Sequence, residues 1–198
     1  MKKIELGEIE HHPYGEFVPD NMDTIIIGSF PIGKFSNPNR KAEIHEDEID
    51  FSYGGSKNLL WKLLGDCFGK EMNSKSSIQT ALREKKIGIA DIIKSCRRDG
   101  GGGSDSDLHE IEWNTKLVDL FASHQIKRIF FTSLQVRDWY NEHIRKESVE
   151  FEYTLLSPSG QGSRGIGRMP EYKEWLKSNE GHKSPTYMYR LEEYKKYF

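Results

Sequence analysis

Four short runs rich in β-branched and aromatic residues, spaced by stretches of helical periodicity, constrain this chain more than any other feature. Residues 24–27, 87–93, 126–131 and 151–156 read as strands, and the first ends at Gly28. Between them, Leu59, Leu60, Leu63, Leu64, Cys67 and Phe68 recur at helical spacing, with Ser56 as the expected cap and Gly69 as the stop. Ser77 is the expected cap of a second helix carrying Ile78, Ala81 and Leu82. Residues 110–124 read as a helix with Trp113, Leu117, Leu120 and Phe121 on one face, and residues 134–145 as another. A short helix near 172–176 and a charged one near 187–197 end the chain. Strands alternating with helices predict a parallel sheet between helical layers. The expectation is one three-layer α/β/α domain over residues 1–198, with a short, mostly parallel four-stranded sheet.

Composition bounds the partners. The formal net charge is −2 over 198 residues, so a nucleic acid would have to be held by a local basic face. Two cysteines, Cys67 and Cys96, fit a reducing compartment and are too few for a four-thiolate iron–sulfur cluster. No apolar leader and no 18-residue apolar run is present, so the expectation is a cytoplasmic protein with no membrane contact. Residues 100–103 form a tetraglycine, expected to be flexible, and residues 31–57 look like a long loop, usually a functional or mobile feature.

Several motifs carry two readings. Residues 28–34 follow a strand and spell G-x-x-x-x-G-K, but Phe35 stands where a phosphate-binding loop needs Ser or Thr, and Pro38 follows closely. His45, Glu46, Asp47 and Glu48, like Asp105 and Asp107, lack the spacing of a metal loop and read as solvated acidic turns. His11 and His12 read as surface residues. Asp91 interrupts an apolar strand and needs a partner, either a ring N–H of a purine or pyrimidine or nearby backbone. Asn58, near a helix start, either caps the helix or orients a water at its positive end. Phe51 and Tyr53 either stack on a ligand or anchor their loop. Ser157, Pro158, Ser159, Gly160 and Arg164 follow the last strand, either as a plain loop or as one that lies against phosphates and enters a groove.

Taken in order, IIIGSFP (25–31), FSYGGSKNLLW (51–61), GIADIIKSCRR (88–98) and LLSPSG (155–160) resemble the motifs of the uracil-DNA glycosylase superfamily. The resemblance spans residues 24–165. It is nearest to the branch described as hypoxanthine-DNA glycosylases, with GSFP, a Tyr-containing turn leading to Asn–x–x–Trp, and an Asp-containing strand that ends in Cys-Arg-Arg. Phe30 replaces the usual catalytic Asp or Asn of the first motif. Leu155 falls where some members have a histidine. The resemblance therefore implies Asn58 as the catalytic residue.

It further implies Gly28, Ser29, Phe30, Phe51, Tyr53 and Asp91 as the base-binding set, and Ser157, Pro158, Ser159, Gly160 and Arg164 as the DNA-binding loop. The implied activity is hydrolysis of the N-glycosidic bond of hypoxanthine, xanthine or uracil. The implied partner is DNA with a deaminated or mismatched base, with no metal, organic cofactor or obligate protein partner. No Lys is placed as a Schiff-base nucleophile, so a monofunctional enzyme is expected. A catalytically inactive nucleic-acid-binding relative and a hydrolase of free nucleosides or nucleotides are the alternatives.

Overall fold

A computed structural model describes residues 6–100, 103–145 and 149–198. Gly101 and Gly102 of the tetraglycine lie outside the described residues. The central sheet has four parallel strands in the order β3-β2-β6-β7: β2 is Thr24–Gly28, β3 Ile87–Asp91, β6 Arg128–Phe131 and β7 Phe151–Thr154. Strand β2 is buried along its whole length. Its three consecutive isoleucines suit a strand that is covered on both faces.

Alternation splits the core in two. Ile26, Ile89 and Phe130 face one side with helices α2 (Leu60–Phe68), α3 (Lys75–Glu84) and α8 (Pro185–Lys195). Ile25, Ile27, Ala90, Ile129 and Phe131 face the other, with α4 (Lys116–Ser123) and α5 (Leu134–His143). The predicted α/β/α arrangement around a four-stranded sheet is the architecture observed, and its strands are all parallel.

A second sheet was not legible in the sequence. Strands β1 (Leu6–His11), β4 (Ile93–Asp99) and β5 (Leu108–Trp113) pair antiparallel in the order β1-β4-β5. Residues 87–93, expected as one strand, therefore break after Asp91. The Ile92 and Ile93 N–H groups turn back onto the carbonyls of Gly28 and Ser29, and the chain moves into the second sheet. Strand β1 shows no apolar pattern because one buried position is Glu10, which accepts from Arg98 and from the Ser36 hydroxyl.

The helix expected over 110–124 begins only at Lys116. Residues 108–113 are strand β5, whose Glu110 and Glu112 pair across to Arg97 and Lys94 of β4. Such cross-strand partners are invisible to local periodicity.

Two caps also move. Helix α3 starts after Ser74, whose hydroxyl accepts from the Ser77 N–H while Ser77 answers the Ser74 N–H: a reciprocal capping box one turn earlier than expected. Helix α2 starts at Leu60, and the Ser56 N–H instead donates to the Glu48 carboxylate. The segment 31–57 is mostly loop, with one turn of helix α1 (Gly33–Ser36) and a 3₁₀ turn (Pro38–Glu43). Two short helices, α6 (Gly162–Ile166) and α7 (Pro170–Lys177), link the last strand to α8.

Candidate active site

The ends of β2, β3 and β6 and the loop after β7 border one open cleft of about 870 Å³. Ligands of open α/β sheets bind at the carboxyl ends of strands, and this cleft has the size of a small-molecule or nucleotide pocket. All four sequence segments reach it. Ser29 and Phe30, Phe51, Tyr53 and Asn58, Asp91, and the loop from Ser157 through Gly160 with Arg164 all contribute to its wall.

Asp91 sits at the end of β3, 5% exposed. One carboxylate oxygen accepts from the Tyr53 hydroxyl at 2.9 Å, and the other lies 2.8 Å from His12 Nε2. The partner this carboxylate requires is thus found inside the protein, with one lone pair on each oxygen left over. His12, expected at the surface, is instead drawn in by Asp91 from 79 residues away; no local pattern could have announced it. Burial, followed by the Asp91 charge, pushes the Tyr53 hydroxyl well above its ordinary pKa, so it stays a donor.

Gly28 makes this pair possible. A Cβ at position 28 would lie 1.5 Å from the Tyr53 hydroxyl and 2.5 Å from an Asp91 oxygen. The space above Gly28 is filled by Tyr53, so the close approach expected of a ligand there is made by the protein's own side chain.

Phe51 is a second correction. It is 5% exposed, stacked on Trp61 with the ring centroids 5.8 Å apart, and the Lys75 ammonium lies over its ring. Both interactions occupy the ring as a core anchor and leave an edge at the cleft wall. Phe30 is half-buried in the same wall, edge-on to His12 at 5.8 Å, and is the aromatic with more ring to offer.

Asn58 Oδ1 accepts from the Leu60 N–H at 2.9 Å, which orients the side chain at the start of α2. The neighbouring Leu59 N–H donates to the Pro158 carbonyl, so the Asn58 turn is tied to the loop after β7. In that loop the Ser157 and Ser159 hydroxyls bond each other, and Ser159 also accepts from the Gly162 N–H. Pro158 is buried, Gly160 exposed, and Arg164 exposed on α6. The wholly buried Arg190 of α8 donates to Ser163 from beneath.

Two acidic residues of the cleft were misplaced by sequence reasoning. Glu48 accepts from Lys34 and from the Ser56 and His45 N–H groups. Burial opposes its charge, but these donors outweigh burial and carry the carboxyl down to about 2. Lys34, the lysine of the apparent phosphate loop, is therefore committed to Glu48. Asp105 faces Ser29 at the cleft wall, and burial raises it above the usual carboxylate range.

No known protein-family model matches the chain. It is similar to a hypoxanthine DNA glycosylase of Methanosarcina barkeri (strain Fusaro / DSM 804), 28% identical over 151 residues, which cover 75% of this chain and 86% of the relative. Its fold is similar to a solution NMR structure from Methanosarcina acetivorans, of a protein provisionally described as a uracil DNA glycosylase. That match has a TM-score of 0.57 and 21% identity, and it covers 85% of this chain and 94% of the other. In sequence and in fold, this chain resembles the uracil-DNA glycosylase superfamily, on the side of its hypoxanthine-DNA glycosylase branch.

Proposed function

We propose that the protein is a monofunctional DNA glycosylase that hydrolyses the N-glycosidic bond of a deaminated base rotated out of DNA. The observation that carries this reading is the convergence of four distant segments on one cleft at the strand ends. The bond is unreachable inside the base stack, so the nucleotide must leave it. The relative's described activity on hypoxanthine in DNA points the same way.

In this reading, Phe30 packs on the extruded base and the Tyr53–Asp91–His12 group forms a rigid polar floor beneath it. A floor whose hydrogen bonds are already made needs no rearrangement when the base arrives. The Ser29 carbonyl is taken by Ile93 and its hydroxyl meets Asp105, which leaves its N–H for the polar edge of the base. Asn58, held by Leu60, presents its amide nitrogen and the second lone pair of Oδ1 to the attacking water. Positive charge builds on the sugar as the bond breaks, and a water so held is ready to capture it. Arg164 and the loop around Gly160 occupy the space the base vacates.

The test is a panel of labelled duplexes carrying uracil, hypoxanthine or xanthine, incubated with the protein and then treated with alkali. Strand breaks at the altered base are expected. Phe30, which cannot activate water, favours a second reading as an inactive DNA-binding relative; binding without breaks would select it.

A further inference from the structure

Of the two carboxyl groups at the Ser29 end of the cleft, Asp91 is tied to two side chains across the fold, whereas Asp105 meets the Ser29 hydroxyl at the cleft wall. Asp91 is engaged by Tyr53 and His12. Asp105 opens the 3₁₀ turn Asp105–Asp107, which Ser104 caps. Within that turn it is Asp107 that bonds inward, accepting from the Ser104 N–H and the Ser106 hydroxyl. The Asp105 carboxyl instead faces the Ser29 hydroxyl and the cleft.

We propose that Asp105 is the general acid that protonates the departing purine base. The assignment rests on the glycosylase reading and deepens it by naming the group that protonates the leaving base. A purine leaves as a poor anion unless a ring nitrogen remote from the sugar takes up a proton. In hypoxanthine that nitrogen is N7. The Asp105 O–H proton moves to N7 as the C1′–N9 bond breaks, and the bonding electron pair stays on the ring, which departs as the neutral N7–H tautomer. Water held by Asn58 bonds to C1′, and its surplus proton returns to the Asp105 carboxylate.

The surroundings raise the Asp105 carboxyl above its ordinary pKa. Burial acts first, and the charges of Asp91 on β3 and Asp107 in its own turn add to it. The Ser29 hydroxyl and Arg98 of β4 oppose them without reversing the sign. Arg98 itself is held against Glu10. A general acid works best when its pKa is brought toward the working pH.

The test is single-turnover release of hypoxanthine from duplex DNA across a pH series. The protein itself, Asp105→Asn and Asp105→Glu are compared. The parent rate is expected to fall with rising pH above the Asp105 pKa. The isosteric Asp105→Asn should lose about a hundredfold and lose that falling limb as well. Asp105→Glu, which keeps a proton donor, should recover part of both. A parent rate that is flat or rising with pH overturns the assignment without recourse to any variant. So does an Asp105→Asn protein that keeps the parent's rate and profile, and in either case the glycosylase reading stands. A parent that releases no base from any duplex overturns both.

Discussion

In Gly28→Ala the new methyl carbon would meet the Tyr53 hydroxyl at 1.5 Å and an Asp91 oxygen at 2.5 Å, so one or both must move. Gly28 lies in ordinary strand backbone with no positive φ, so alanine is tolerated by the main chain and the whole penalty comes from the side-chain clash. The Tyr53–Asp91 hydrogen bond joins a hydroxyl to a carboxylate, and its loss costs about 1.5–3 kcal/mol. Overpacking adds about 1–3 kcal/mol. Alanine's stiffer unfolded chain returns about 0.4–1 kcal/mol. The net destabilisation is about 2–5 kcal/mol. In a chain of this length, each kcal/mol lowers the melting temperature by about 2–4 °C.

The assay is urea unfolding of the parent, Gly28→Ala, Tyr53→Phe and the double variant. Removing the hydroxyl abolishes the closest overlap and the same hydrogen bond. The double variant should therefore be more stable than the sum of the single changes predicts, by about 1.5–3 kcal/mol. The Tyr53 ring carbon that bears the hydroxyl would still sit 2.7 Å from the new methyl, so relief is incomplete. Strict additivity, or a Gly28→Ala protein as stable as the parent, would refute the view that this glycine exists to admit Tyr53.

Three further outcomes are expected. Asn58→Ala should slow single-turnover base release by about ten- to a thousandfold; it also loses the hydrogen bond to Leu60, worth about 1 kcal/mol, so Asn58→Asp, which keeps an acceptor there, separates the two effects. An unchanged rate removes Asn58 from the chemistry. Arg164→Ala should reduce excision from duplex DNA far more than from single strands, since only the duplex demands stacking and pairing energy for extrusion; equal losses on matched substrates would mean a plain phosphate contact. Glu48→Gln should destabilise the fold at neutral pH, when measured by urea midpoints. Because the Glu48 carboxyl is lowered in the folded state, its contribution is fully present above its ordinary pKa and lost as pH falls from about 4.5 toward about 2. Parent and variant curves that stay parallel through that window would contradict the role given to its hydrogen bonds.

The sequence by itself determined the four strands of the parallel sheet and the helical layers that cover it. Ile25–Ile27 and Ile129–Phe131 are the continuous apolar runs of strands covered on both faces, and the leucines of α2 recur at the helical spacing of 3.6. It also marked the cleft, because the segments singled out in order along the chain all reach the carboxyl edge of the sheet. Only the tertiary structure decided which neighbour each cleft residue meets. Asp91 finds Tyr53 and His12, Phe51 spends its ring on Trp61, and Gly28 yields its space to a hydroxyl. Asp105, two positions from a second aspartate, Asp107, faces the cleft while its neighbour bonds within the turn. The second sheet stayed hidden for the same reason. Its strands carry charges in place of an apolar pattern, and their partners lie elsewhere in the chain, as Glu10 meets Arg98 and Glu112 meets Lys94. Local spacing reports which side chains share a face. Which polar group meets which across 80 or 90 residues depends on how the chain closes on itself, and that partnership sets both burial and protonation.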